Sequence, residues 1–191
     1  MDASNENKMI AKVALDVFGG EPTVFQYWDD NDISDIDILS VANRPTDGIS
    51  IYSTLGLSDY SIDYSLENKL LRVEIVGVCA TIYEEFANVI ATCAFCVINS
   101  DYSIAPGEVF PDILKMYFPS SDMKHILFVP PFLWEDLKTM DLPTKNVAWL
   151  LAVPISEKEY QFACEKGSDL LEELFEQKKI DIYDLERKSV L

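Results

Sequence analysis

Apolar positions recur along this chain with two periods, and the switches between them mark out the elements. From Asn5 to Phe18, the residues Met9, Ile10, Val13, Leu15 and Val17 give an approximate helical stripe, and Gly19-Gly20 stop it. After Pro22, Thr23 to Trp28 is β-branched and aromatic and reads as a strand. Asp35 to Val41 alternates, with Ile36 and Ile38 on one face and Asp35 and Asp37 on the other. That pattern predicts a half-buried strand with its acids toward water. Pro45 and Asp47-Gly48 signal a turn, and Ile49 to Leu55 resumes as a strand.

Leu70 to Val78 reads as the next strand, with Leu71, Val73, Ile75 and Gly77 on one face and Arg72, Glu74 and Val76 on the other. Tyr83 to Asn99 predicts a helix that is apolar almost all round from Ile90 to Ile98, the mark of a central core helix. Ser100 to Pro119 reads as a long irregular connection. Lys124 to Val129 is a short apolar strand ended by Pro130-Pro131, and Phe132 to Leu137 suits one helical turn. Val147 to Val153 is a continuous apolar run, as in a strand buried on both faces. Ser156 and Glu159 form a capping box for the helix that follows. Gly167 ends it, Ser168 caps a last helix, and Leu170, Leu171, Leu174 and Phe175 are expected to face the core. The order of elements predicts a single α+β domain over residues 1–191, a mixed central β-sheet flanked by α-helices. Regular βαβ alternation is missing, which argues against a doubly wound nucleotide fold.

Composition agrees with a packed domain: 49% of the 191 residues are apolar and 12% aromatic. The opening segment MDASNENK has neither a basic nor an apolar stretch of a secretory leader. The most apolar run, Phe86 to Ile98, falls short of the roughly 20 residues that span a membrane. A cytoplasmic protein without membrane contact is expected. Cys79, Cys93, Cys96 and Cys164 sit in apolar runs and read as reduced core cysteines.

Charge changes the picture most. The chain carries 33 acidic residues against 15 Lys plus Arg, for a net −18. Such a field repels nucleic acid and attracts basic partners. Between Lys12 and Lys69 there are eleven acids and one base, Arg44, and the run from Asp29 to Asp37 alone holds five aspartates.

The chemistry of an enzyme is hard to find. His125 is the only histidine, so His₂ and His₃ metal sites are ruled out. Cys93-Ala-Phe-Cys96 falls within a helix among apolar residues and lacks a second ligand pair. An EF-hand loop started at Asp30 would place Asp35 where Gly is required and Val41 where the closing Glu belongs. Phosphate-binding glycine loops are absent. Neither catalysis, a cofactor nor a metal is expected, although two convergent carboxylates in a cleft would reopen an enzymatic reading.

Four stretches resemble the suppressor-of-fused domain family, in order and spacing. They are Ser53-Thr54-Leu55-Gly56-Leu57-Ser58-Asp59, Leu71-Arg72-Val73-Glu74-Ile75, Ile126-Leu127-Phe128-Val129-Pro130-Pro131, and Leu151 to Glu159 followed by Gly167-Ser168. Tyr27-Trp28-Asp29-Asp30 and Val147-Ala148-Trp149-Leu150-Leu151 look closer still to a bacterial subgroup: the immunity, or antitoxin, proteins encoded beside secreted LXG-type nuclease toxins. The resemblance implies a mixed sheet flanked by helices, no catalytic residues, no cofactor, and a cognate toxin nuclease domain as partner. A nuclease presents Lys and Arg to phosphates, and an acidic face can occupy that groove. Trp28, Asp29, Asp30, Asp32, Asp35 and Asp37 are therefore the candidate binding residues. Core packing is the competing role for Trp28, and a solubilising edge is the competing role for the aspartates. A general peptide- or protein-binding module without a toxin partner is the alternative function.

Overall fold

A computed structural model describes residues 4–66, 68–100 and 102–191. The first three residues of the segment read for a leader therefore lie outside it, as do positions 67 and 101 of the single domain expected over 1–191.

The strands are β1 (Pro22–Trp28), β2 (Asp35–Ala42), β3 (Ile49–Leu55), β4 (Tyr64–Leu66), β5 (Lys69–Ala80), β6 (Val109–Phe110), β7 (Met123–Val129), β8 (Met140–Asp141) and β9 (Lys145–Ser156). The helices are α1 (Asn5–Phe18), α2 (Phe86–Ser100), α3 (Ile113–Tyr117), α4 (Glu157–Lys166) and α5 (Ser168–Lys178). The strands join in one sheet of order β1-β2-β3-β5-β9-β7-β6, with β4 on β5 and β8 on β9. β5 and β9 pair in parallel, Leu70 opposite Lys145 through Gly77 opposite Ala152, and the other pairings are antiparallel. The expected mixed sheet flanked by helices is the fold.

Both faces of the sheet are covered, so alternate residues of each central strand enter different cores. On one side Ile36, Ile38, Val73, Ile75, Leu150 and Ala152 pack against α2 and α3. On the other Leu39, Val41, Val76, Val78, Leu151 and Val153 meet α1 and α5. This accounts for the unbroken apolar run of β9. Gly77 lets α2 approach closely, because a Cβ there would meet Ile90 Cδ1 at 2.6 Å and Phe86 Cε1 at 2.9 Å. α1 begins under a cap from Ser4, whose side chain accepts the Asn7 amide.

Several expectations need correction. Helix α2 starts at Phe86, since residues 83–85 form a turn. The connection from Ser100 to Pro119 contains β6 and α3. Two turns, with no helix, occupy Phe132 to Leu137. Leu170 is exposed, for α5 buries only Leu171 and Phe175 fully. Cys164 is exposed on polar helix α4, while Cys79 and Cys93 are buried and Cys96 is half-buried.

The segment after α5 is a strap tied across the end of the sheet. The Ala80 amide donates to the Tyr183 carbonyl at 2.9 Å, and the Ser121 hydroxyl to the Leu185 carbonyl at 2.6 Å. Leu185 enters the α2-side core, while Ile182, Tyr183 and Val190 pack on the opposite side.

Candidate partner-binding surface

Strand β1 forms one edge of the sheet, and its residues 22–26 and 28 are exposed. Among the described residues its only hydrogen-bonded strand neighbour is β2, in register from Pro22 opposite Val41 to Trp28 opposite Asp35. The Asp29 amide donates to the Ser34 carbonyl at 2.9 Å, and that bond sets the alternation of the ladder. The backbone groups of Val24, Gln26 and Trp28 consequently point outward, away from β2. Edge strands are ordinarily blunted by charges, bulges or interior prolines. β1 carries no charged residue, and its pairing runs without a bulge.

Four large exposed apolar side chains lie on this hairpin. Val24 is 49% exposed, Phe25 59%, Trp28 51% and Ile33 77%. Trp28 is thus a surface residue, contrary to the core-packing alternative. Among the described residues no further strand covers this edge. Cross-strand pairing puts Trp28 beside Asp35, and Gln26 beside Asp37, on one face. Gln26 Nε2 donates to Asp35 Oδ2 at 2.8 Å. Burial and the neighbouring Asp35 push the Asp37 carboxyl above its usual range. Tyr60, 37% exposed, adjoins Asp35, and burial together with Asp35 and Asp59 raises its hydroxyl pKa.

The five aspartates divide into three roles. Asp29 organises the hairpin: its Oδ1 accepts the amides of Ile33 at 2.8 Å and Asn31 at 3.2 Å, and its Oδ2 accepts from Asn99 of α2 at 2.9 Å. The Ile33 amide leads in holding its carboxyl below the usual carboxylate range. Asp30 and Asp32 are exposed at the tip, and Asp32 takes a left-handed backbone with φ of 53°. Asp35 and Asp37 are half-buried on β2. The structure therefore brings Trp28, Asp30, Asp32, Asp35 and Asp37 to one exposed hairpin, with Asp29 as its internal tie.

Carboxylates that could suggest acid–base chemistry lie elsewhere and are tied up. Glu74 is fully buried and accepts Thr54 Oγ1 at 2.5 Å and the amides of Gly56 and Ser58 at 3.1 Å each. It thereby fixes the turn after β3. Burial raises its pKa against those hydrogen bonds. Glu159, also fully buried, accepts Arg187 through both oxygens at 2.8 and 2.9 Å and takes the Ser156 and Val190 amides. Its pKa is lowered, because the Arg187 guanidinium and those donors outweigh desolvation. The sequence showed Glu159 as a capping residue; its partner Arg187 lies too far along the chain to be read from spacing.

His125 is buried. Its Nδ1 accepts the Asp112 amide at 2.9 Å, and Nε2 lies 3.1 Å from Glu157 Oε2. Burial lifts the Cys93 thiol well above its usual range and the Cys96 thiol to about 11, so neither is a ready nucleophile. Among the described residues no cluster of three or more His, Cys, Asp or Glu could hold a metal, and no helix is long and apolar enough to cross a membrane.

Comparison with known proteins agrees with this architecture. The family model for suppressor of fused protein (SUFU) matches residues 33–188. The chain is 53% identical over 192 residues to Immunity protein YqcF of Bacillus subtilis (strain 168), covering all of both chains. A crystal structure of a putative SUFU homolog from Neisseria gonorrhoeae FA 1090 superposes with a TM-score of 0.74 at 18% identity, over 97% of this chain and 96% of that one. A chain of the Sufu-Fu complex superposes with a TM-score of 0.66 at 17% identity, over 96% and 91%. The chain thus belongs to the suppressor of fused (SUFU) protein family, within its bacterial immunity subgroup.

Proposed function

We propose that this protein is an immunity protein that binds the nuclease domain of a secreted LXG-type toxin inside the producing cell and neutralises it. The full-length 53% identity to Immunity protein YqcF carries this reading. The hairpin surface supplies a physical means. Trp28, Val24 and Ile33 offer apolar area for a desolvated centre, and Asp30, Asp32, Asp35 and Asp37 surround it with negative charge. A nuclease groove built to hold phosphates is basic, so the two surfaces complement each other and attract at long range. Inhibition then follows from occupancy: a groove filled by an acidic hairpin is closed to nucleic acid.

The test is co-purification with the nuclease domain encoded beside this gene, followed by nucleic-acid cleavage with and without the chain. Tight 1:1 binding with loss of cleavage is expected. Unimpaired cleavage and no binding at low salt would sink the reading. The open edge of β1 favours a second reading, a general interaction module that pairs with an extended segment of some other protein. Binding to peptides unrelated to any nuclease would distinguish it.

A further inference from the structure

A second surface lies far from the hairpin. Lys179, with φ of 50°, caps the C-terminal end of α5, and the chain turns back as the strap. Between α5, the strap and the Pro130 end of β7 opens a groove of about 450 Å³. That volume is in the range of sites that take a small ligand or an anchoring side chain. Its walls are Val129, Leu133, Val153, Phe175 and Ile182, and Phe132 stands at the mouth, 62% exposed. The polar part of the lining is mostly acidic: Glu172, Glu176 and Asp181, against the single base Lys179. Burial first, and then the neighbouring Asp169 and Glu176, push the Glu172 carboxyl up. Five strand spacings separate β1 from β7, roughly 24 Å across the sheet.

Walls and rim impose different demands. A bare cation would satisfy the carboxylates and leave the apolar walls wet. A neutral apolar ligand would fill the walls and leave the carboxylates repelling one another. We propose that this groove is an anchor pocket for one aromatic or aliphatic side chain of a protein partner, flanked in the partner's sequence by Lys or Arg. The apolar side chain enters beside Phe132 and Phe175, and the flanking cations pair with Glu172, Glu176 and Asp181. The pocket draws on the proposed function only in taking a protein partner.

The test is an amide NMR titration of the full chain with acetyl-Lys-Phe-Lys-amide and, separately, acetyl-Glu-Phe-Glu-amide. Saturable shifts at Val129, Phe132 and Ile182 are expected in the millimolar range for the lysine peptide, with binding about ten-fold weaker for the glutamate peptide. The variant E172Q/E176Q, whose own spectrum reports whether it is folded, is expected to bring the two peptides to within about three-fold. Equal binding by both peptides, shifts located elsewhere, or no shift at about 10 mM peptide would overturn the pocket. Nuclease inhibition is read in a separate assay. A chain that inhibits while this groove stays silent retains the proposed function and loses the pocket.

Discussion

Two groups of carboxylates in this protein do opposite things. At the hairpin, Asp30 and Asp32 face water at the tip, and Asp35 and Asp37 stand half-buried beside an exposed Trp28. At the strap, Glu159 is sealed in the core and doubly bonded to Arg187, which also donates to the Pro154 carbonyl and lies over the Phe175 ring. The first group keeps its contact with water and is free to act at a distance. The second has given up water entirely and is held by fixed partners. A net charge of −18 therefore describes two kinds of acid, of which only one is available to a partner.

The sharpest way to break this contrast is to remove Arg187. R187A strands a buried carboxylate, and a loss of about 3–5 kcal/mol is expected in urea unfolding. Replacing both partners with apolar residues of similar volume is expected to cost less than the summed single changes, as a double-mutant cycle would show. Next in size is W28A. It is expected to weaken partner binding by about 2 kcal/mol in calorimetry while changing stability by less than about 0.5 kcal/mol. A W28A chain that unfolds instead would place Trp28 with the strap residues.

The two buried glutamates, in turn, should respond to pH with opposite sign. Glu159 has a lowered folded pKa, so its contribution is present above its ordinary value of 4.5 and is lost as pH falls through the depressed one. Glu74 has a raised folded pKa, so its contribution is present below 4.5 and is lost as pH rises through the raised one. Thermal melts of E74Q and the parent from pH 4 to pH 8 are expected to shift in favour of E74Q as pH rises. A constant difference would mean that Glu74 keeps its ordinary pKa. The smallest effect belongs to the tip. D30N/D32N is expected to slow association about three-fold at low salt and hardly at all at high salt, measured by stopped flow.

Legibility followed the same division. Long elements could be read because their apolar spacing repeats enough times to be distinctive: α1 stands where the pattern put it, and β5 and β9 contain the strands expected at 70–78 and 147–153 and run beyond them at both ends. β4, β6 and β8, at two or three residues each, are too short to show any period, and α3 has barely more than one turn. The Ser156–Glu159 capping box was legible because both members lie within four residues. Arg187 was not, because only the completed strap brings it to Glu159. The hairpin acids were evident as a cluster, whereas the exposure of Trp28 depends on β1 being an edge, and strand order is not written in local spacing.

Strand order also governs when the protein becomes useful. β9 joins β5 on one side to β7 on the other, so neither part of the sheet is complete until β9 docks. The β5–β9 pair links residues far apart in sequence, Leu70 with Lys145, and such long-range parallel pairing is slow, on the order of milliseconds to seconds. Until then β5 is itself an open, apolar edge, prone to wrong pairing. β9 is also the last of the strands in sequence, so the sheet closes only after residues 145–156 have been made.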